Sequence, residues 1–481
     1  MKLSSLISDI NDIKIIKGDI DIEIKGIAYD SRNVEQGYVF VCISGFKTDG
    51  HNYVAEAVNK GAVAVIIERD MGIDQNIAVI KISDTRIALA LMSAAYFGYP
   101  AENIKLIGVT GTNGKTTTTY LIKSILENAG FNIALIGTIS NIICQRETPS
   151  KRTTPESYDL QEMFSEMRNT DYCIMEVSSH SLELNRVAGC VFNSGIFTNL
   201  TRDHLDFHGT FENYLNAKLK LFKQSKMPII NIDDEYSNEI RSKIGINTMT
   251  YSVNKDADVK AEDVEITSKY SKFKLLYDHK SVLINLPMPG RFNVYNALAA
   301  ACACINEGIS LNLIRNGLEA IKVISGRSEV IDSKRGYTII IDYAHTPDGL
   351  ENILNTVHEY VKGRVISLFG CGGDRDKTKR PIMGEIAGKL SDFCIITSDN
   401  PRTEDPISII NDIIPGIDKT NCSYKIIENR RAAIKEALLI AKENDVVVIA
   451  GKGHETYQIL KEKTIHFDER EIVNEILEKE M

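Results

Sequence analysis

The chain has 481 residues, of which 43% are hydrophobic and 25% charged, and its net charge is −9. A chain of this length outgrows a single hydrophobic core, so two or three domains are expected, three being the working number. The acidic balance and the lack of a Lys/Arg block argue against nucleic acid as a partner. The longest apolar runs are strand-sized, which argues against membrane insertion, and a charge at Asp9 interrupts the N-terminus before a secretory core develops. A cytoplasmic location is therefore expected, with the nine cysteines, which include no C-x-x-C pair, as buried free thiols.

In residues 1–100, apolar runs at 38–43, 62–67 and 77–82 predict strands separated by a helical stretch, hence a small α/β domain. Residues 101–328 alternate apolar runs at 106–109, 133–136, 172–177, 195–198 and 228–232 with helical patterns, which predicts a largely parallel sheet wrapped by helices. Between the first of these strands and a helix whose apolar face is Leu121, Ile122, Ile125 and Leu126 stands Gly111-Thr-Asn-Gly-Lys-Thr116. Glycines at such a turn let backbone amides approach phosphates, Lys115 would meet the outer phosphates and the Thr116 hydroxyl would help hold Mg²⁺. Position 109, where the usual first glycine would stand, is Val. Alternation at residues 258–289 predicts a β-ribbon.

In residues 329–481, four strands from Thr338 onward each run into a polar loop: Asp342-Tyr-Ala-His-Thr-Pro347, Gly370-Cys-Gly-Gly-Asp-Arg375, Ser398-Asp-Asn-Pro-Arg402 and Gly451-Lys-Gly-His-Glu455. Open α/β sheets bind ligands at the carboxyl ends of their strands, so this placement is what an active site requires. Ordinary connecting turns are the competing reading, against which stands the recurrence of polar, Gly- or Pro-bearing loops after four strands.

Gly108-Val-Thr-Gly-Thr-Asn-Gly-Lys-Thr116 resembles the ATP loop of the Mur ligases and folylpolyglutamate synthetases. Met175-Glu-Val-Ser-Ser-His180, the stretch from Thr198 to Gly209, Ala217-Lys218, Gly290-Arg-Phe-Asn-Val-Tyr-Asn-Ala297 and Asp342-Tyr-Ala-His-Thr-Pro-Asp348 then resemble the MurE branch of the Mur ligases in that order, across essentially the whole chain. The resemblance implies an α/β chain of three domains. These are an N-terminal UDP-binding domain over residues 1–100, a central P-loop ATPase-like parallel-sheet domain over 101–328 and a C-terminal Rossmann-like domain over 329–481.

It also implies roles. Gly111, Thr112, Asn113, Gly114, Lys115, Thr116 and Thr117 would hold ATP phosphates, Asn293 and Asn296 the adenine, Asp342 the ribose and Arg327 the nucleotide by charge. Helix capping is the competing use of Asn293. Glu176 and His204 would hold Mg²⁺ with Thr116, and Lys218 would be carbamylated to N6-carboxylysine, turning a cation into a metal-supporting anion. A solvated surface charge is the plain alternative for Lys218; carbamylation needs the neutral amine, so a site that lowers the lysine pKa favours it. His208 is expected to be structural.

For the substrates, Ser31 in Asp30-Ser-Arg32 would contact the uridine diphosphate, and Thr153, Thr154, Ser178 and Arg186 the remainder of UDP-MurNAc-L-Ala-D-Glu. Asp399-Asn-Pro-Arg402 resembles the motif of members that add meso-diaminopimelate, whose arginine holds the distal carboxylate; a guanidinium fork suits a carboxylate. Arg375, Asp399, Asn400, Pro401, Gly451 and Glu455 would surround the same ligand, Glu455 at its ammonium end. The expected reaction is ATP-dependent amide formation through an acyl phosphate, by a monomer. A lysine-adding relative, a folate-polyglutamylating ligase or a nucleotide-binding scaffold are the alternatives.

Overall fold

The computed structural model describes residues 1–45, 48–245 and 247–479. By packing, the chain divides into two compact units: Met1–Gly108 with Phe131–Gly195 and Lys220–Lys226, and Val109–Gly130 with Ile196–Leu219 and Met227–Met481. Segment 101–328 of the expected division thus contributes to both.

In the first unit, five strands stand in the order Ile13–Lys17, Ala78–Ile82, Ala64–Ile67, Tyr38–Val41 and Gly26–Ala28. The last four are parallel, and only Ile13–Lys17 is antiparallel. Parallel strands are covered on both faces, which is why Ala64–Ile67 is apolar throughout and buried at every position. Asp84 starts the covering helix Thr85–Tyr96 by accepting hydrogen bonds from the amides of Arg86 and Ile87. The same unit holds Tyr172–Glu176 parallel to Ile133–Ile136, followed by an antiparallel hairpin of Ser140–Ile143 and Arg146–Pro149. That hairpin escaped the sequence reading because its turn, Cys144 and Gln145 at φ 48° and 65°, contains no glycine to announce the left-handed geometry.

In the second unit, Ser225–Asn231, Met249–Ser252 and Val259–Ile266 pair in parallel. Val259–Ile266, Ser271–Tyr277 and Lys280–Leu286 then form the antiparallel ribbon expected at 258–289. Helix Arg291–Asn306 is built largely of small residues, and Ala297 to Cys304 are all fully buried, as in a helix packed on every side. Helix Leu311–Glu319 lies so close to helix Lys115–Asn128 that a Cβ on Gly317 would overlap the Ile125 backbone.

The C-terminal part of this unit is a six-stranded sheet in the order Glu329–Asp332, Thr338–Asp342, Val446–Ala450, Val365–Phe369, Phe393–Ile396 and Ser423–Ile426. All but the first run parallel. Leu350, Ile353, Met383, Ile409 and Ile413 cover one face; Ile434, Leu438, Ile472 and Val473 cover the other. Each such side chain, fully buried, stabilises the fold by roughly 1.5–3 kcal/mol before entropy is counted. The four polar loops singled out in the sequence all leave carboxyl ends of these parallel strands. Strand Ser423–Ile426 was not anticipated: it is a largely exposed edge, Ser-Tyr-Lys-Ile, without a buried apolar face to mark it.

Candidate active site

The phosphate loop turns on Gly111 and Gly114, at φ 153° and 86°. A Cβ at these positions would overlap Thr198 Oγ1 and Asn296 Oδ1 respectively, so only glycine fits. The loop is braced on both sides: the Asn113 amide donates to Asn199 Oδ1 (2.8 Å), and Thr198 Oγ1 donates to the Asn113 carbonyl (2.6 Å). The Thr112 hydroxyl meets Tyr214 Oη at 3.0 Å. Lys115 Nζ donates to the carbonyls of Gly111 (2.9 Å) and Thr112 (2.8 Å), which keeps the ammonium over the loop. Thr116 and Thr117 are buried at the start of helix Lys115–Asn128.

Residues from further along the chain join this loop. Arg327 donates to Thr116 Oγ1 (3.0 Å) while its guanidinium lies 4.5 Å from the centre of the Tyr343 ring. Asn113 Nδ2 donates to Asp348 Oδ2 (2.6 Å). Asp342 accepts from the amides of Ser328 (2.7 Å) and Ala344 (2.8 Å); burial nevertheless raises its pKa. Asn293 and Asn296 are buried, Asn293 donating to the Pro289 carbonyl (2.8 Å) and Asn296 to Asn293 Oδ1 (3.2 Å). Asn296 Oδ1 lies within 3.4 Å of the Thr118 hydroxyl. These amides brace the helix start under Gly114, and neither caps it: the cap position is Gly290.

Lys218, on helix Phe211–Lys223, is 1% exposed, with Nζ 4.5 Å from the centre of the Tyr214 ring. Burial, helped by the charge of Lys115, pushes its pKa well below the lysine range against the pull of Asp203 and Asp234. His204 stands in a left-handed conformation (φ 55°) with Nε2 3.4 Å from Asp203 Oδ2. His345 Nε2 is 3.9 Å from the same oxygen, and Lys379 Nζ is 3.6 Å from Asp203 Oδ1. Burial alone would raise Asp203, but these three groups hold it below the usual carboxylate range. His208 is buried and stacked on Tyr214 at 5.0 Å.

At the far strands, Asn400 sits among three charged groups. Its Nδ2 donates to Glu455 Oε2 (2.8 Å), its Oδ1 accepts from Lys452 Nζ (3.2 Å), and its carbonyl lies 3.4 Å from Arg402 Nη1. Arg402, at φ 54°, also donates to the Gly373 carbonyl (2.8 Å). Asp399 is buried, with one oxygen accepting from the Asn400 amide (2.6 Å). Its other oxygen, without a hydrogen bond among the described residues, faces Arg430 at 4.0 Å and the bare Cα of Gly451. Burial would raise Asp399; Lys452 and Arg430 lower it. Pro401 is buried beside them. Arg375 is exposed and donates to its neighbour's carbonyl at Asp374 (2.8 Å), so the structure does not bring it into this group.

In the first unit, both Glu176 oxygens accept from Thr138, one from its amide and one from its hydroxyl, each at 2.8 Å. Thr153 Oγ1 lies 3.1 Å from the same hydroxyl. Thr154 donates to the Glu176 carbonyl (2.8 Å), and Ser178 caps helix Ser179–Glu183. Arg186 donates to the Thr154 carbonyl (3.1 Å) and pairs with Glu156 at 2.9 Å. Ser31, 7% exposed, donates to Glu56 Oε2 (3.2 Å).

Three family models match the chain: "Mur ligase family, catalytic domain" over residues 23–132, "Mur ligase middle domain" over 109–304 and "Mur ligase, glutamate ligase domain" over 326–453. A UDP-N-acetylmuramoyl-L-alanyl-D-glutamate--2,6-diaminopimelate ligase of Clostridium tetani is 51% identical over 100% of both chains. The chain belongs to the Mur ligase family. A ligase of the same name from Clostridium perfringens is 53% identical over 99% of this chain and 100% of its own. A solved structure bearing that name is 32% identical, covers 100% of this chain and 99% of its own, and superposes with a TM-score of 0.71. A MurF ligase of Thermotoga maritima in complex with ADP is 19% identical over 88% of this chain and 93% of its own, with a TM-score of 0.61, a likeness of fold alone. The Mur ligase architecture is thus the three-domain α/β one that the resemblance implied.

The sequence reading missed several residues of this Mur ligase site. Asp203, Lys379 and His345 come together only in the fold. Lys452 lay inside the Gly451-Lys-Gly-His-Glu455 loop, where a lysine flanked by glycines straight after a buried strand was a usable signal. Among the described residues, no three His, Cys, Asp or Glu side chains are arranged to hold a metal ion by themselves. The donors named for Mg²⁺ fit it chemically: Thr116 and Glu176 offer hard oxygens, and the low-pKa amine of Lys218 suits conversion to a carbamate.

Proposed function

We propose that this Mur ligase joins meso-diaminopimelate to UDP-MurNAc-L-Ala-D-Glu at the expense of ATP, through an acyl phosphate. The observation that carries the choice of amine is the placing of opposite charges around Asn400: Arg402 at its carbonyl suits a distal carboxylate, and Glu455, shared between Asn400 Nδ2 and Lys452 (2.8 Å), suits a free ammonium. Lysine has the same terminal ammonium but lacks that carboxylate, so Arg402 would be left facing a cation with no anion to pair with. The relatives named above, at 51% and 53% identity, are named for the same reaction.

In this reading Lys115 leaves its loop carbonyls for the outer phosphates of ATP and neutralises charge as the phosphoryl group moves to the substrate carboxylate. Arg327 and Asp342 hold the nucleotide, Asp342 through the ribose, and Asn293 and Asn296 meet the adenine. Thr116, Glu176, His204 and carbamylated Lys218 would hold Mg²⁺, which would supply further charge neutralisation on the phosphates. Ser31, Thr153, Thr154, Ser178 and Arg186 hold the nucleotide-linked peptide, with Glu156 orienting Arg186. Asp399 and Gly451 shape the amine pocket, and Arg375 swings in from solvent. The reading places the chain in the cytoplasm and takes it to act as a monomer.

The test is to supply ATP and the nucleotide dipeptide with diaminopimelate, lysine or neither and to follow ADP release. Release is expected with diaminopimelate alone. Efficient use of lysine with no response to diaminopimelate would overturn the reading, and tight nucleotide binding without ligation of any amine would make the chain a scaffold.

A further inference from the structure

Two thiols that the ligase reading leaves unused face each other at the edge of the C-terminal sheet. Cys394 lies within strand Phe393–Ile396, and Cys422 stands just before the edge strand Ser423–Ile426. The register pairs Phe393 with Ser423 and Cys394 with Tyr424. The two sulfur atoms are 3.5 Å apart, in hydrogen-bond contact.

We propose that Cys394 and Cys422 are a dithiol that closes to a reversible intrachain disulfide under two-electron oxidation by a hydroperoxide. Closure needs the sulfurs to move from 3.5 Å to about 2.0 Å. The edge strand is free to supply that shift, because it is bonded to a neighbour on one side only. Access is one-sided as well: Cys394 is buried, with Ser367 Oγ 3.3 Å from its sulfur, whereas Cys422 is half-buried. Cys422, the more exposed sulfur, is therefore the one an oxidant reaches, and its deprotonated form is the nucleophile.

The steps balance. The Cys422 thiolate attacks one peroxide oxygen, the O–O bond breaks, and an alcohol or water departs as Cys422 becomes a sulfenic acid. The Cys394 sulfur then attacks Cys422 Sγ, the S–O bond breaks, water leaves with the thiol proton, and the S–S bond forms. Two thiols are oxidised and one peroxide is reduced. In a reducing compartment the open dithiol is the resting form. The bond would pin the edge strand to the strand that leads, through Thr397 and Ser398, into Asp399 and Asn400.

Full-length protein treated with hydrogen peroxide and then denatured is expected to lose two of its nine thiols. Peptide mapping should join Cys394 to Cys422, and dithiothreitol should restore both. In Cys394→Ser the reaction should stop at a sulfenic acid on Cys422 that dimedone traps; the parent should show little of it. Retention of all nine thiols, pairing of Cys422 with Cys144 or with a second chain, or equal dimedone labelling of Cys422 in parent and variant would each overturn the proposal.

Discussion

Arg430 Nε lies 2.7 Å from Glu469 Oε1, and neither side chain is exposed at all. The same guanidinium donates to the Ala450 carbonyl (2.7 Å) and approaches the Ser398 carbonyl (3.4 Å). Ala450 ends the strand before Gly451–Glu455 and Ser398 precedes Asp399–Arg402, so one buried cation ties the roots of both amine-site loops to the C-terminal helix. Removing one partner leaves the other charge buried and unpaired. Arg430→Met is expected to cost about 3–5 kcal/mol in urea unfolding. Glu469→Gln, which keeps shape and one acceptor, should cost less and should raise KM for diaminopimelate more than KM for ATP.

Lys115→Ala is expected to lower ADP release at saturating substrates at least about a hundredfold, the cost of one preorganised charge donor at a transition state. Thermal unfolding should change far less, because Lys115 is half-buried and its hydrogen bonds to Gly111 and Thr112 stay within its own loop. Turnover at the parent rate would remove Lys115 from the chemistry.

Carbamylation of Lys218 predicts a dependence on dissolved carbon dioxide. Protein stripped of bicarbonate should lose activity and regain it when bicarbonate returns, and ¹³C-bicarbonate should give a carbamate signal that Lys218→Met lacks. Stripped and replenished enzyme of equal rate, with no such signal, would leave Lys218 an unmodified buried amine.

Arg402→Ala should raise KM for diaminopimelate by the equivalent of about 1.5–3 kcal/mol, the worth of hydrogen bonds to a charged group. Use of lysine should improve relative to the parent, since the repulsive guanidinium is gone. A uniform loss for both amines would place Arg402 in loop structure rather than in selection.

His345 supplies a pH signature. Burial, with Lys379 adding to it, lowers its pKa from the ordinary 6.5 to about 4. Between those values the unfolded chain binds the proton that the folded chain refuses, so stability falls as pH drops from 6.5 towards 4 and is unaffected by this group above 6.5. Parent protein should lose stability across that window faster than His345→Gln, measured by urea midpoints at pH 7, 5.5 and 4.5. Parallel curves would show that His345 titrates normally.

The sequence by itself determined the buried strands and the loops that follow them, though not the hairpin at residues 140–149 or the exposed edge strand Ser423–Ile426. Ala64–Ile67, Val446–Ala450 and their neighbours announce buried parallel strands by unbroken apolar runs, and Gly111 and Gly114 announce the phosphate turn because no other residue fits there. These are local constraints, written in adjacent residues. The resemblance carried over Lys115, Lys218, Asn400 and Arg402 for the same reason. The tertiary structure alone decided which charges meet: Asp203 with Lys379 and His345, Lys452 with Asn400 and Glu455, Arg430 with Glu469. Apart from Lys452 and Glu455, these partners lie tens to hundreds of positions apart, and their protonation depends on a burial that exists only after the sheet closes over them. Composition gives a charge its sign; only packing gives it a dielectric and a partner.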